Sequence, residues 1–290
     1  MNSTAKTTVV IATRNRVERL LQTLSRIEPL EEVARVIVAD NGSTDGTAAT
    51  VCRYFPDVDV LRFPANLGAF ARTLAARSVT SPYIAFCDDD TWWVPGAICM
   101  GTDVLDRHAS IGLLNACVKV GPGERIDDAC NAMAAANGSD NLPGAPILFF
   151  LAGASLMRRK AFVACGGYER RFFIGGEETL LSLDFHRHGW LMRYLPSMTV
   201  RHEPSPIERN DSFRRRLVFR NRLWVAWMRY ERASAWRTTV EAAHRARTDR
   251  QVRGAFFRAL AGLPWAILNR RPIDPALQQR VDAIWSFDAG

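Results

Sequence analysis

Residues 35–46 read RVIVADNGSTDG, an apolar, β-branched run that stops at an acid and passes directly into turn chemistry. A continuous apolar run of this length marks a strand covered on both faces, and the Asn-Gly and Asp-Gly steps break it at its carboxyl end. The same pattern recurs on either side. TTVVIA (7–12) leads into Thr13-Arg14-Asn15-Arg16, and YIAFCD (83–88) ends in Asp88-Asp89-Asp90-Thr91. The intervening stretches have helical character. The spacing therefore predicts strands over 7–12, 35–40, 58–63 and 83–88, joined by helices over 16–27, 44–54 and 69–78. Strands alternating with helices in this way form parallel pairs with crossover connections, so the expected class is α/β with a doubly wound sheet.

A helix over 95–108 and a strand over 111–120 follow. Residues 121–145, rich in Gly, Asn, Pro and Asp, read as a long loop or small excursion. A strand-like run over 147–157, a short helix over 159–165, a break at Gly166-Gly167 and a helix starting near Glu177 complete this half. Only helices are expected over 211–285. The expected organisation is a nucleotide-binding and catalytic domain over 1–210 and a basic, aromatic-rich helical region over 211–290.

With 290 residues, 48% of them hydrophobic, the chain can bury a large core without disulfides or metal staples. The six cysteines show no CxxC spacing and sit mostly in apolar runs, as small buried hydrophobes do in a reducing compartment. No apolar export signal and no membrane-spanning run is visible, so a cytoplasmic protein is expected. The N-x-S/T sequons at Asn2, Asn41, Asn137 and Asn210 carry no weight without export. The net charge of +8 is unevenly placed: residues 201–290 hold 18 Lys and Arg against 9 Asp and Glu, while 1–200 hold 20 against 21. The basic tail, interleaved with Trp224, Trp227, Trp236, Phe256, Phe257 and Trp265, has two readings. It packs its aromatics against the α/β half, or it lies at an anionic membrane face as a peripheral contact. Arg214-Arg215-Arg216 comes with no nucleic-acid motif, so no nucleic-acid partner is expected.

Ligands of open α/β sheets sit outside the carboxyl ends of the strands, and all three polar clusters fall on that edge. Three adjacent carboxylates repel one another unless a cation or donors neutralise them, and a hard divalent ion takes oxygen ligands that a diphosphate can complete. Glu177 and Glu178 follow Gly175-Gly176 and precede an apolar run. They fall in a helix's first turn, where the dipole favours an ionised carboxylate able to accept a proton.

These motifs together resemble the bacterial-type family 2 glycosyltransferases, whose fold is GT-A, a Rossmann-like mixed sheet. The similarity runs through Ala12-Thr13-Arg14-Asn15-Arg16, Asp40 to Gly46, Asn66-x-Gly68-x-x-Ala71-Arg72, Asp88 to Trp93, Gly166-Gly167-Tyr168-Glu169 and Gly176-Glu177-Glu178, roughly residues 7–203. It implies transfer of a hexosyl or deoxyhexosyl group from a nucleotide-sugar donor to a saccharide or lipid-linked acceptor, in polysaccharide or glycolipid synthesis. Asp40 would bond the base, with Arg72 beside base and ribose. Thr13, Arg14, Arg16, Asn41, Asn66 and Asp88 would line the nucleotide pocket, and Asp89 would meet ribose or phosphate. Asp90 would hold Mn²⁺ or Mg²⁺, with His202 completing the shell. Glu178 would be the base and Glu177 an acceptor-positioning neighbour, giving single displacement with inversion. Leu180 stands where the family often has a further Asp. Two other readings are a catalytically silent GT-A-like binding or scaffold protein, and another nucleotide-sugar enzyme such as a nucleotidyltransferase.

Overall fold

A computed structural model describes residues 5–136, 140–204 and 211–284. The sequons at Asn2, Asn137 and Asn210, the expected helix end at Trp285 and the expected boundary at 210 lie outside the described residues.

The first half forms as the alternation dictates: β1 (Thr7–Thr13), α1 (Val17–Ile27), β2 (Val33–Asp40), α2 (Thr47–Tyr54), β3 (Asp59–Arg62), α3 (Phe70–Arg77) and β4 (Tyr83–Asp88). β1 runs parallel to both β2 and β4, and β2 to β3. Val9, Val10, Ile11, Ile37, Val38, Ile84, Ala85 and Phe86 are fully buried, as continuous apolar strands between two helical layers must be. α2 begins three residues later than the sequence suggests. Residues 44–46 are held in a turn, with Asp45 accepting from the Thr47 N–H and Gly46 at φ 83°.

After the acidic triplet comes a strand the sequence did not announce, β5 (Thr91–Trp93), and then α4 (Ala97–Arg107) and β6 (Ile111–Val120). The expected excursion contains β7 (Arg125–Ile126), α5 (Asp128–Ala134) and β8 (Ala145–Pro146). The strand-like 147–157 run is only partly a strand: residues 147–153 cross as loop, and β9 is confined to Ala154–Arg158. Asn115 on β6 explains this, because its Oδ1 accepts the Leu151 N–H at 2.7 Å and satisfies backbone that would otherwise need a strand partner. α6 (Arg159–Ala164), a short 3₁₀ turn (Arg170–Phe172), α7 (Glu177–Arg187) and β10 (Leu191–His202) follow.

The main path of the sheet runs β3-β2-β1-β4-β9-β6-β10-β5, with β7 beside β6 and β8 beside β10. β9 is antiparallel to β4 and β6, whereas β10 is parallel to β6 and antiparallel to β5. The result is a mixed GT-A sheet. β10 is much longer than the expected 198–200 stretch. A register shift between Leu195 and Thr199 re-aims its second half, so that His202 pairs with Thr91.

The tail is helical, as expected: α8 (Asp211–Arg229), α9 (Arg232–Thr248), α10 (Arg250–Leu268) and α11 (Pro275–Ile284). Most of its aromatics take the packing role. Trp224 is buried and meets Phe172 and Trp265 at 6.0 and 5.3 Å between ring centres, in a cluster with Leu180 and Leu183 of α7. Trp236 and Phe257 remain exposed. All six cysteines are free. Four are buried as expected, whereas Cys52 and Cys99 are exposed. Among the described residues no helix is long and apolar enough to cross a membrane.

Candidate active site

The carboxyl edge of β1, β2 and β4 opens into a cleft of about 610 Å³. Its walls include Thr13, Arg14, Arg16, Asn41, Asn66, Arg72, the whole acidic triplet, Glu177 and Glu178. The loops after β1 and β2 are tied together, the Asn15 N–H donating to Ser43 Oγ at 3.0 Å and Asn15 Oδ1 accepting the Thr44 N–H at 2.8 Å. Asn41 joins the next loop by donating to the Gly68 carbonyl at 3.0 Å and accepting the Leu67 N–H at 2.9 Å. Asn66 Oδ1 accepts the Gly68 N–H at 3.0 Å. Gly68, at φ 61°, lies so close to Phe173 that a Cβ would come 2.0 Å from the Phe173 carbonyl oxygen. That oxygen accepts the Ala69 N–H at 2.7 Å and locks the two cleft walls together.

Asp40 stands behind this lining rather than in it. It is fully buried; its Oδ1 accepts the Ser43 N–H at 2.9 Å, and its Oδ2 is buried with no hydrogen-bond partner. Asp89 is buried with both oxygens engaged, accepting from Thr13 Oγ1 at 2.9 Å and from the Arg16 guanidinium. Burial raises its pKa to about 6, although Arg16 opposes the rise. Asp88 pairs with Arg72. Burial works against the Arg72 charge, but Asp88 leads a set of partners that raise its pKa overall; Glu178 and Glu177 belong to the same set. Arg72 thus links the triplet electrostatically to the glutamate pair.

Asp90 is buried, with Oδ2 3.2 Å from Arg16 Nη1 and Oδ1 3.6 Å from His202 Nε2. The β5–β10 pairing creates this approach, and the Glu203 N–H donates to the Asp90 carbonyl at 3.0 Å, fixing the end of β10. Among the described residues no three His, Cys, Asp or Glu side chains gather as a metal cage. One carboxylate oxygen and one imidazole nitrogen suit a borderline divalent cation whose remaining positions come from phosphate oxygens and water. The residues fit a metal that arrives with a diphosphate.

Gly176, at φ 89°, caps α7 and turns Glu177 and Glu178 toward the cleft. Glu178 Oε1 accepts the Ala152 N–H at 3.2 Å, while Glu177 is buried with Oε2 lacking a hydrogen-bond partner. The helix dipole does not decide their charge as the sequence suggested. Burial, followed for Glu177 by the repulsion of Glu178, pushes Glu177 up to about 7. Burial likewise raises Glu178, against the pull of the Ala152 N–H and Arg72.

Sequence reasoning missed six contributors to the cleft: Ala69, Ala152, Phe173, Ile174, Phe213 and Arg214. Phe173, at φ 66°, has no local signal. Arg214 is visible as part of an arginine run, but nothing local shows that the start of α8 folds back over the cleft. Asn221 of α8 secures that fold-back, donating to the Phe172 and Gly175 carbonyls at 2.9 and 2.5 Å.

Known proteins resemble this chain in sequence or in fold. An N-acetylglucosaminyl-diphospho-decaprenol L-rhamnosyltransferase of Mycobacterium tuberculosis is 29% identical over 219 residues, which is 64% of this chain and 71% of the relative. S. aureus TarS, solved with UDP-GlcNAc, superposes with a TM-score of 0.62 at 17% identity over 90% of this chain and 81% of its own. The mannosyltransferase PcManGT from Pyrobaculum calidifontis, solved with GDP-Man and Mn²⁺, gives 0.58 at 19% identity over 97% and 76%. These structural likenesses concern the fold. The family model described as glycosyl transferase family 2 matches residues 8–166, more than half of the chain, and the chain therefore belongs to the family 2 glycosyltransferases.

Proposed function

We propose that this glycosyltransferase moves a hexosyl or deoxyhexosyl group from a nucleoside-diphosphate sugar to a hydroxyl of a lipid-diphosphate-linked saccharide, with inversion at the anomeric carbon. The observation that carries the reading is one cleft lined by Asp90, a nucleotide-sized wall and the Glu177–Glu178 pair, with His202 3.6 Å from Asp90. The Mycobacterium relative supports the acceptor class, since its name specifies a sugar on a polyprenyl diphosphate. Thr13, Arg14, Asn41 and Asn66 form the nucleotide wall, Asp89 braces it through Thr13 and Arg16, and Asp40 stiffens it from behind.

The anomeric carbon loses its bond to the diphosphate oxygen as it gains one to the acceptor oxygen, through an oxocarbenium-like state. A divalent cation bound by Asp90 and His202 together with the diphosphate would neutralise the leaving group's growing charge. Arg16, already on Asp90, orients that carboxylate. Glu178 takes the proton from the attacking hydroxyl, and its raised pKa makes it a stronger base than an ordinary carboxylate. With one base and no opposed nucleophilic carboxylate, single displacement follows. Exposed Trp236, Phe257 and Leu268 on basic helices favour peripheral contact with an anionic membrane that carries such an acceptor.

Thermal shifts with UDP, dTDP, GDP and CMP, each with and without Mn²⁺, test the donor side. One nucleoside diphosphate is expected to stabilise the protein in a Mn²⁺-dependent way. Asp90→Ala should abolish that dependence, and Asp90→Ala and Glu178→Ala should each lower transfer by about 10² to 10³. Transfer at the wild-type rate by either variant would remove the role assigned to that residue. Nucleotide binding with no transfer to any lipid-diphosphate saccharide would favour a silent binding protein.

A further inference from the structure

A second cavity of about 440 Å³ adjoins the reaction cleft, sharing the edge-to-face pair Phe173 and Phe213 as its wall. Arg216 and Arg220, one turn apart on α8, and Arg258 of α10 all line it. No carboxylate appears among its described lining residues. Like charges at this spacing repel, and an anion relieves the repulsion. Arg220 registers the strain: burial first, and then Arg258, hold its pKa below the ordinary guanidinium value. Its own position is fixed by donation to the Arg171 and Phe172 carbonyls at 3.1 Å and by stacking on Trp224. Phe173, Phe213 and Leu217 make the rest of the lining apolar. Guanidiniums grip phosphate oxygens with paired donors, so the lining suits an amphiphilic phosphate better than a free anion or a purely apolar guest.

We infer that this cavity is the acceptor-side subsite for the diphosphate and first apolar carbons of a lipid-diphosphate acceptor, whose sugar reaches Glu178 across the Phe173–Phe213 wall. The inference rests on the acceptor class proposed above. It gives Arg214-Arg215-Arg216 a role that the fold alone does not: Arg214 faces the reaction cleft, and Arg216 faces the lipid-diphosphate cavity.

The full chain, in EDTA and without donor, is titrated calorimetrically with farnesyl diphosphate, farnesol and inorganic pyrophosphate. Farnesyl diphosphate should bind about tenfold or more tightly than either fragment, as expected when charge and apolar contacts act together. Arg216→Gln and Arg258→Gln should each weaken it by about tenfold, with Mn²⁺-dependent nucleotide binding unchanged. Arg258 is exposed, so its variant tests the site without endangering the fold. Equal affinity for pyrophosphate and farnesyl diphosphate would reduce the cavity to a free-phosphate site and overturn the inference. Unchanged affinity in both variants, or binding seen only on phosphatidylglycerol vesicles, would also overturn it. No turnover is measured, so failure of the transferase reading would leave this result standing, and its failure would leave the transferase reading intact.

Discussion

Glu177 and Glu178 set the pH behaviour of the cleft. Two carboxyls in adjacent positions, both withdrawn from water, lose protons as a coupled pair above the usual carboxylate range. Activity that needs an ionised base should therefore fall at a higher pH than an ordinary carboxylate would set. Replacing Glu177 by Gln removes the repulsion and should move the acid limb of the kcat/KM profile to lower pH. An unmoved limb would separate the two residues. Stability follows from the same shift, with its own sign. The folded-state pKa of Glu177 lies above its unfolded one, so its contribution is fullest below about 4.3 and is lost as pH rises toward about 7. Glu177→Gln should accordingly stabilise the protein at pH 8, by on the order of 2 kcal/mol, and much less at pH 5, measured by urea unfolding. This behaviour was not legible in the sequence. The Gly-Glu-Glu spacing correctly marked a helix start, but whether dipole or burial governs the charge depends on Ala152, Arg72 and α8, which come from elsewhere in the chain.

α7 and α8 act as a coupled pair of elements. Asp184 of α7 and Arg229 of α8 are both buried and joined by two hydrogen bonds, Nε–Oδ1 at 2.7 Å and Nη2–Oδ2 at 2.8 Å. Removing one partner of a buried pair strands the other's charge. Arg229→Ala should cost about 3 kcal/mol in urea unfolding, the low end of the range for such losses, because Arg187 remains 3.3 Å from Asp184. Wild-type stability in this variant would show the pair to be dispensable. At this scale β1, β2 and β4 could be read directly from apolar runs ending in polar clusters, because a strand buried on both faces writes its own signature. β5 could not: three residues, Thr91-Trp92-Trp93, are a strand only because β10 lies alongside. The 147–157 run misled for the opposite reason, since apolar residues pack equally well in a loop whose backbone Asn115 satisfies.

Over the whole molecule, the basic tail is part of the body that holds the site. Phe172, Leu180 and Leu183 share a buried cluster with Trp224, Val225 and Ala266. A chain ended after residue 204 should therefore expose that face and aggregate, read by size-exclusion chromatography; a soluble, monodisperse product would contradict the packing. Membrane contact is better tested on the intact chain. Trp236→Ser with Phe257→Ser should reduce flotation with phosphatidylglycerol vesicles severalfold if those exposed rings insert, and equal flotation would remove that contact. The sequence announced a basic, aromatic helical tail but left both placements open, since the same composition suits a buried interface and a wet one. The β5–β10 pairing also governs assembly order. Asp90 and His202 are 112 positions apart along the chain and meet only through that short ladder. During synthesis on the ribosome, the loops after β1 and β2 emerge well before His202, so on the function proposed above a nascent chain would gain its full donor grip only after the end of β10 has emerged.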